Sequence, residues 1–247
     1  MLTGYGKIAH IDLTSRKVEV NDVSEELAYE FLGGRGFAAA TIFKEVPGNV
    51  RGLDPENRLV VAAGPLTATF PVGGKTTFAT VSPQTNLYGD SNVGGWIGYR
   101  LRKASFDALV IYGASENPIY ILAEDGKIEI QEAPELWGKG SQETDGILTE
   151  RYGEESSVAS IGIAGEKLVN YACVNVDWNR KKYRHGQAGR TGTGAVMGSK
   201  SLKAIVAIGT EEVSVADSDR LREVSRKAMK QAVESSAYDM WRRQGTM

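Results

Sequence analysis

The sequence predicts an α+β fold made of two similar halves related by a pseudo-twofold, with a helical segment at its C-terminal end. Three observations predict it. The stretch from Gly94 to Gly113 has an echo from Arg190 to Gly209. At a shift of 96 residues Gly98, Ser105, Ala108, Val110 and Gly113 meet Gly194, Ser201, Ala204, Val206 and Gly209. Each copy reads as a glycine-rich lead-in, a short basic turn, an apolar strand and a closing glycine. Strand-like runs come in pairs and hairpins, with helical patterns between the groups rather than after every strand, which argues against a doubly wound α/β sheet. Past Gly209 the pattern changes to helical spacing. We therefore expect one duplicated domain over 1–209, its halves lying roughly at Leu53 to Gly113 and Val158 to Gly209, followed by the start of a helical domain over 210–247.

The elements follow in chain order. Ala9, Ile11 and Leu13 alternate onto one face, and Val18 and Val20 follow the polar Thr14-Ser15-Arg16 turn, so a hairpin is expected over Lys7 to Val20. Ser24 before Glu25-Glu26-Leu27 is a helix start with acid in the first turn. Leu27, Phe31 and Leu32 share a face of that helix, and Gly33-Gly34 ends or kinks it. A second helix is expected from Gly36 to Lys44, before Pro47. Leu59 to Ala63 and Thr76 to Val81 are apolar or β-branched strands. Ala108 to Tyr112 is a third, and Ile119 to Leu122 pairs with Lys127 to Ile130 across an Asp125-Gly126 step, a strong hairpin signal. A helix runs from Ser141 to Tyr152 with Thr144, Ile147 and Leu148 inward. Ser157 to Ile161, Tyr171 to Val176 and Ala204 to Ile208 are strands. Leu221, Val224, Ala228 and Ala232 mark a final helix over Ser218 to Ser235.

Composition bounds the function. The chain has 247 residues, 41% hydrophobic and 24% charged, enough for one large core or two modest ones. A formal net charge of −2 argues against a nucleic-acid partner. No basic head and apolar run opens the sequence, and the most apolar stretch, Ala108 to Tyr112, is only strand-sized, so neither a signal peptide nor a membrane partner is indicated. One cysteine, Cys173, permits no internal disulfide and no cysteine-built metal site within the chain. Together these features predict a cytoplasmic, soluble protein. The 29 glycines are clustered, at Gly33-Gly34-Arg35-Gly36, Gly73-Gly74, Gly94-Gly95 and Gly186 to Gly198, which suits tight turns close to a ligand.

The loop His185-Gly186-Gln187-Ala188-Gly189-Arg190-Thr191-Gly192-Thr193-Gly194 is the strongest local signal. Its glycines bare backbone N–H groups to an anion, while Arg184 and Arg190 add forked donors suited to phosphate. The same glycines would equally serve a crossover that lets two sheets pack closely. Ser199-Lys200-Ser201-Leu202-Lys203 leaves little room for the helix a dinucleotide fingerprint needs, and no Gly-x-x-x-x-Gly-Lys-Ser/Thr is present. In the first copy the counterpart is Asn92-Val93-Gly94-Gly95. The asparagine oxygen could hold a hard cation such as Mg²⁺, or the residue could be a left-handed turn asparagine. Lys75 after Gly73-Gly74 could meet an anionic ligand or stay solvated. His10 sits in an alternating strand as a structural residue, His185 has no catalytic company, and Cys173 reads as a core thiol. No nucleophile–base pair can be assembled, so the chain reads as built to bind rather than to react. Two facing glycine loops would hold a two-phosphate ligand or a pair of identical ligands.

These residues carry a resemblance. Phe31-Leu32-Gly33-Gly34-Arg35-Gly36, Leu53-Asp54-Pro55-Glu56-Asn57, Ala62-Ala63-Gly64-Pro65-Leu66-Thr67, Gly189-Arg190 and Gly194-Ala195-Val196-Met197-Gly198-Ser199-Lys200 occur along nearly the whole chain in one order. In them the chain resembles the N-terminal domain of the tungsten-containing aldehyde ferredoxin oxidoreductases. Gly73-Gly74-Lys75, Tyr88-Gly89-Asp90 and Arg243-Gln244-Gly245-Thr246-Met247 look most like the formaldehyde-oxidising branch. The resemblance implies a tungstopterin cofactor, in which the dithiolene sulfurs of two molybdopterins hold tungsten, one pterin on each half. It implies a Mg²⁺ bridging the two terminal phosphates, with Asn92 and the backbone carbonyl of Gln187 as its protein ligands. Lys75, Val93, Gly94, Gly95, Trp96, Gly186, Ala188, Gly189 and Arg190 match positions around the pterins and phosphates. Lys75 stands where some members carry an arginine linking a pterin to an iron–sulfur cluster, and keeps the charge without the fork. Gly186 stands where some members have a phosphate-binding arginine, a role Arg184 could take over.

The family's [4Fe–4S] cluster, held by cysteines of later domains, and the acids beside its tungsten have no counterpart here, and one cysteine cannot hold a cluster. The resemblance therefore implies a truncated form or one subunit of a split enzyme, inactive by itself. Truncation is the expectation, because the sequence stops inside a segment that the family continues. The full-length enzyme would oxidise a small aldehyde to the acid and pass electrons to ferredoxin. The alternative expectation is a non-catalytic module of the same fold that carries a phosphorylated pterin. A homo-oligomer, the identity of the aldehyde and the choice of tungsten over molybdenum are left open by the sequence.

Overall fold

Two six-stranded mixed sheets repeat one strand order. The computed structural model describes residues 2–71, 73–178 and 185–245. The first half comprises β1 (Lys7–Asp12), β2 (Lys17–Asp22), α1 (Glu25–Phe31), α2 (Arg35–Glu45), β3 (Leu59–Ala63), β4 (Thr76–Val81), β5 (Tyr88–Val93), α3 (Ile97–Lys103) and β6 (Phe106–Tyr112). The second comprises β7 (Ile119–Glu124), β8 (Lys127–Glu132), α4 (Ser141–Tyr152), β9 (Ser157–Ser160), α5 (Ile163–Glu166), β10 (Val174–Val176), β11 (Gly186–Ala188), α6 (Thr193–Ser199) and β12 (Leu202–Ile208). The sheets run β2-β1-β6-β3-β4-β5 and β8-β7-β12-β9-β10-β11. In each, the first strand of the half pairs in parallel with the last, β1 with β6 and β7 with β12. The other ladders are antiparallel. The fold is thus α+β and duplicated, as the echo in the sequence predicts.

Local chemistry explains most of these elements. The Ser24 hydroxyl accepts the Leu27 N–H at 3.2 Å and starts α1. Asp125 (φ 37°) and Gly126 (φ 82°) are both left-handed, as a two-residue hairpin turn requires. Ser105 (φ 70°) and Ser201 (φ 54°) take matching left-handed positions between helix and strand, so the repeat extends to backbone conformation. Beyond β12, the side chain of Asp217 caps α7 (Ser218–Val233), which α8 (Tyr238–Gln244) follows; neither helix has a buried residue.

Several expectations are corrected. The halves begin at the hairpins, at Lys7 and Ile119, not at Leu53 and Val158. The hairpin sequences differ, and two α-helices separate β2 from β3 where the second half has a short 3-10 helix, Pro134–Leu136, and one α-helix between β8 and β9, so no constant shift aligns them. In the first copy the basic turn is part of helix α3, whereas in the second Lys200 and Lys203 follow helix α6. Helix α6 follows the glycine loop after all; a dinucleotide fold is still excluded, because β11 is an antiparallel edge strand that does not neighbour β12. Asn92 lies in the extended strand β5, not in a left-handed turn. Leu32 is exposed with a left-handed φ of 61°, so Ala28 rather than Leu32 is the buried residue of that helix. Only Val174–Val176 of the expected Tyr171 to Val176 strand is extended, because the Ala172 carbonyl turns to accept the Gly194 N–H at 2.9 Å. Cys173 precedes the strand and is half-buried rather than a core thiol.

The sheets face each other across one shared core. Leu59, Phe78, Phe106 and Leu109 of the first meet Ile121, Val174, Met197 and Ile205 of the second half, all fully or almost fully buried. Each such side chain contributes about 1.5–3 kcal/mol by burial. Helices α1 and α2 cover the outer face of the first sheet, around Phe37, Val60 and Val110. Helix α4 covers the outer face of the second, around Tyr120, Leu148 and Val206. The second residues of β6 and β12 are both buried ions of opposite sign. Asp107 pairs with Arg102, and Lys203 pairs with Glu166 while donating to the Lys139 carbonyl at 2.7 Å. Burial pushes Asp107 up and Lys203 down, and the partner opposes each shift. Lys200, wholly buried, ties the halves together by donating to the carbonyls of Pro55 (3.0 Å) and Gly113 (3.2 Å).

Candidate functional site

The equivalent edge strands β5 and β11 lie side by side, and this brings the two glycine loops together. A methyl group on Gly186 would come within 2.7 Å of Val93 Cγ2 and 2.9 Å of the Gly94 carbonyl oxygen. Only glycine permits that approach. Gly89 meets Thr191 just as closely, at 2.6 Å from its Cγ2. The short helices behind the loops use glycine in the same way. A methyl on Gly98 would meet Thr76 Oγ1 at 2.2 Å, and one on Gly194 the Cys173 carbonyl oxygen at 2.5 Å. Thus a glycine of α3 packs on β4 in one half, and a glycine of α6 packs just ahead of β10 in the other.

Asn92 and Gln187 occupy matching register positions. Asn92 pairs with Thr77 of β4, and Gln187 with Asn175 of β10. Each pair is closed by a side-chain hydrogen bond. Thr77 Oγ1 donates to Asn92 Oδ1 at 2.8 Å, and Gln187 Nε2 donates to Asn175 Oδ1 at 3.0 Å. Both Asn92 and Gln187 are exposed, whereas Val93 and Ala188 next to them point into the core. Val93 and Ala188 therefore support the loops from beneath. Gly94, Gly95 (φ 100°) and Gly189 lie at the surface of the junction.

Two exposed cations flank the junction. Lys75 stands just before β4, its Nζ 4.0 Å from where a methyl on Gly94 would be, and Arg190 follows Gly189. Among the described residues neither side chain has a carboxylate partner, unlike Arg35, whose Nε lies 2.8 Å from Asp90. Asp90 also accepts from the Asn92 amide at 3.1 Å and from the Tyr88 hydroxyl at 3.3 Å. Burial and the neighbouring Asp90 charge push Tyr88 up to about 12, so it serves as a neutral donor. Asp90 and Arg35 thus brace the exposed end of β5. Arg184 lies outside the described residues. His185 stacks edge-on against Trp178 with ring centroids 4.7 Å apart, and His10 bonds Glu45 at 3.0 Å, far along the chain from the loops.

Of the residues that the sequence singled out, the structure brings together Lys75, Asn92 to Trp96 and Gly186 to Arg190. It adds four that the sequence reading missed. Thr77 and Asn175 follow from strand pairing, but the polar sequence of β5 and the short β11 carry no alternation that marks them as strands. Ser91 and Asp177, which accept the N–H groups of Arg190 (3.3 Å) and Trp96 (2.6 Å), carry no local pattern at all. Among the described residues no three His, Cys, Asp or Glu side chains gather into a metal site. The donors available for a ligand are backbone N–H groups, amides and two cations with no carboxylate partner among the described residues, a set that fits a phosphate-bearing group.

The sequence profile described as the aldehyde ferredoxin oxidoreductase N-terminal domain matches residues 8–209. The chain belongs to this family. It is 41% identical over 229 residues to the tungsten-containing aldehyde ferredoxin oxidoreductase of Pyrococcus furiosus, a match covering 92% of this chain and 37% of that protein. The same figures describe the Thermococcus kodakarensis relative. An aliphatic sulfonate oxidoreductase, WOR-like subunit, of Pyrococcus furiosus is 31% identical over 96% of this chain and 39% of its own length. Among solved structures, the active-site complex BamBC of benzoyl coenzyme A reductase, in complex with 1,5-dienoyl-CoA, superposes with a TM-score of 0.88. Its sequence identity is 34%, covering 94% of this chain and 35% of that one. This member of the aldehyde ferredoxin oxidoreductase family therefore spans little more than a third of the length of the relatives it matches. No described helix is long and apolar enough to cross a membrane.

Proposed function

We propose that the chain is the cofactor-holding part of a tungsten-dependent aldehyde:ferredoxin oxidoreductase, and that the junction of β5 and β11 seats two pterins. One observation carries this reading. The twofold-related edge strands set two glycine loops face to face, with Lys75 and Arg190 beside them and, among the described residues, without carboxylate partners. Gly94, Gly95 and Gly189 would bring backbone N–H groups to the pterin phosphates, and the two cations would offset the phosphate charge. Asn92 and Gln187, at matching positions, would supply oxygen ligands to a Mg²⁺ between those phosphates.

When bound, tungsten bis-pterin supplies the redox chemistry that takes an aldehyde to a carboxylic acid, while the protein supplies orientation and electrostatics. This chain's residues bind and orient. Val93 and Ala188 anchor the loops in the core, and Asp90 with Arg35 fixes the end of β5. With one cysteine, the chain cannot itself carry a four-cysteine [4Fe–4S] cluster. That cluster, the acids near the metal and the surface that meets ferredoxin would come from accompanying polypeptide. The test is the tungsten, magnesium and pterin content of the protein purified with that polypeptide. Two pterins per tungsten is the expected result, and a protein with neither overturns the reading.

A further inference from the structure

Each glycine loop hangs from the opposite half. The Arg190 N–H of the second loop donates to Ser91 Oγ of β5 at 3.3 Å. The Trp96 N–H of the first loop donates to Asp177 Oδ2, just past β10, at 2.6 Å. Asp177 is fully buried and firmly held. Its own N–H donates to the Val158 carbonyl at 2.9 Å, and its Oδ1 accepts from Ser157 Oγ at 2.7 Å and from the Val158 N–H at 3.3 Å. It also adopts a left-handed φ of 54°, which L-residues other than asparagine and aspartate seldom do. The duplication supplies a built-in comparison. Thr77 matches Asn175, so the first-half position equivalent to Asp177 is Ala79, which has no acceptor to offer. The carboxylate is therefore not inherited from the shared fold. Its Oδ2 serves the first loop.

We infer that Asp177 is a positioning residue for the cofactor. It takes the Trp96 N–H for the protein and so holds Gly94 and Gly95 in the shape that faces the ligand. This rests on the bis-pterin reading only in naming the ligand; the anchoring itself is a property of the polypeptide.

The experiment compares Asp177→Ala, Asp177→Asn, Ser157→Ala and Ser91→Ala with the unaltered protein, by hydrogen exchange without added ligand and by tungsten and pterin content. In Asp177→Ala, exchange across 94–97 should rise by about tenfold or more, the loss of one charge-assisted hydrogen bond, while 189–191 stays unchanged. Ser91→Ala should show the reverse pattern. Asp177→Asn keeps one acceptor oxygen and should recover part of the protection. Ser157→Ala leaves the carboxylate but frees one side of it, and it keeps the test decisive if Asp177→Ala does not fold. Tungsten and pterin content should fall several-fold in Asp177→Ala and return in part in Asp177→Asn. Unchanged exchange at 94–97, or an equal acceleration throughout the chain, overturns the assignment. So does a loosened loop with unchanged tungsten, because Asp177 would then shape the loop without serving the cofactor. An unaltered protein lacking both tungsten and pterin overturns the proposed function instead, and the exchange comparison then decides the anchoring alone.

Discussion

Lys200→Met should remove a pH dependence of stability that the native fold carries. The Lys200 ammonium is wholly buried, with the carbonyls of Pro55 and Gly113 as its acceptors. Burial, aided by the nearby Arg58 charge and opposed by Glu56 and Asp54, pushes it down from 10.5 to about 7. Between those values the unfolded chain binds a proton that the folded chain does not, so stability rises with pH across that window. Below pH 7 both states are protonated and the cost of burying the charge is present in full. At about 1.36 kcal/mol for each pH unit between the two values, that cost is on the order of 5 kcal/mol. Roughly 2 kcal/mol of it is relieved between pH 7 and pH 9. Methionine fills a similar volume and does not titrate. Urea unfolding of both proteins at pH 7, 8 and 9 gives the comparison, and other titrating groups cancel in the difference. The native protein should gain about 2 kcal/mol relative to Lys200→Met over that range. A difference that stays constant with pH would show that the two carbonyls hold the ammonium charged, and the reasoning would fail.

Three further outcomes are expected. Arg190→Ala should leave the melting temperature unchanged, since no described residue pairs with its guanidinium. It should weaken cofactor retention roughly tenfold to a hundredfold, the worth of a charge-assisted phosphate contact, with Arg190→Lys recovering only part; unchanged tungsten content in the alanine variant would leave the arginine merely solvated. Gly186→Ala drives a methyl into Val93 and the Gly94 carbonyl, so about 1–3 kcal/mol of stability should be lost on urea unfolding, along with cofactor content. A neutral result there would mean that the two edges do not touch. Arg102→Met strands the Asp107 carboxyl in the core and should cost about 3–5 kcal/mol, measured in the same way.

The hairpins, the Ser24 cap, the helices from Arg35 and Ser141 and the apolar strands were legible because each carries its own periodicity or turn chemistry. Strand β5 was not. Its sequence, Tyr88-Gly89-Asp90-Ser91-Asn92-Val93, is polar, and it is extended because β4 pairs with all six of its residues. Helices α3 and α6 were hidden by glycine, which weakens a helix in isolation by about 1 kcal/mol per residue. Here packing overrides propensity. A methyl on Gly198 would sit 2.0 Å from the Gly165 carbonyl oxygen, so the close contact between α6 and α5 demands the residue that obscured the helix. The glycine loops at the site were legible as loops. Their partnership came from the duplication, and their anchors Ser91 and Asp177 were invisible because they act across the halves rather than along the chain.

The opposed buried ions of β6 and β12 have a consequence for how such a chain finds its fold. A duplicated sequence runs the risk that either closing strand docks in the other's slot, since both are seven residues long and almost wholly apolar. Such an exchange would set Asp107 against Glu166 and take Lys203 away from the Glu166 carboxylate. Two carboxylates would then share one buried place, and a buried ammonium would lose its counter-charge. Misassembly between similar units is a characteristic failure of repeated architectures. At one position per half, this protein gives the closing strand a charge, and the Glu166 carboxylate accepts only one of the two signs.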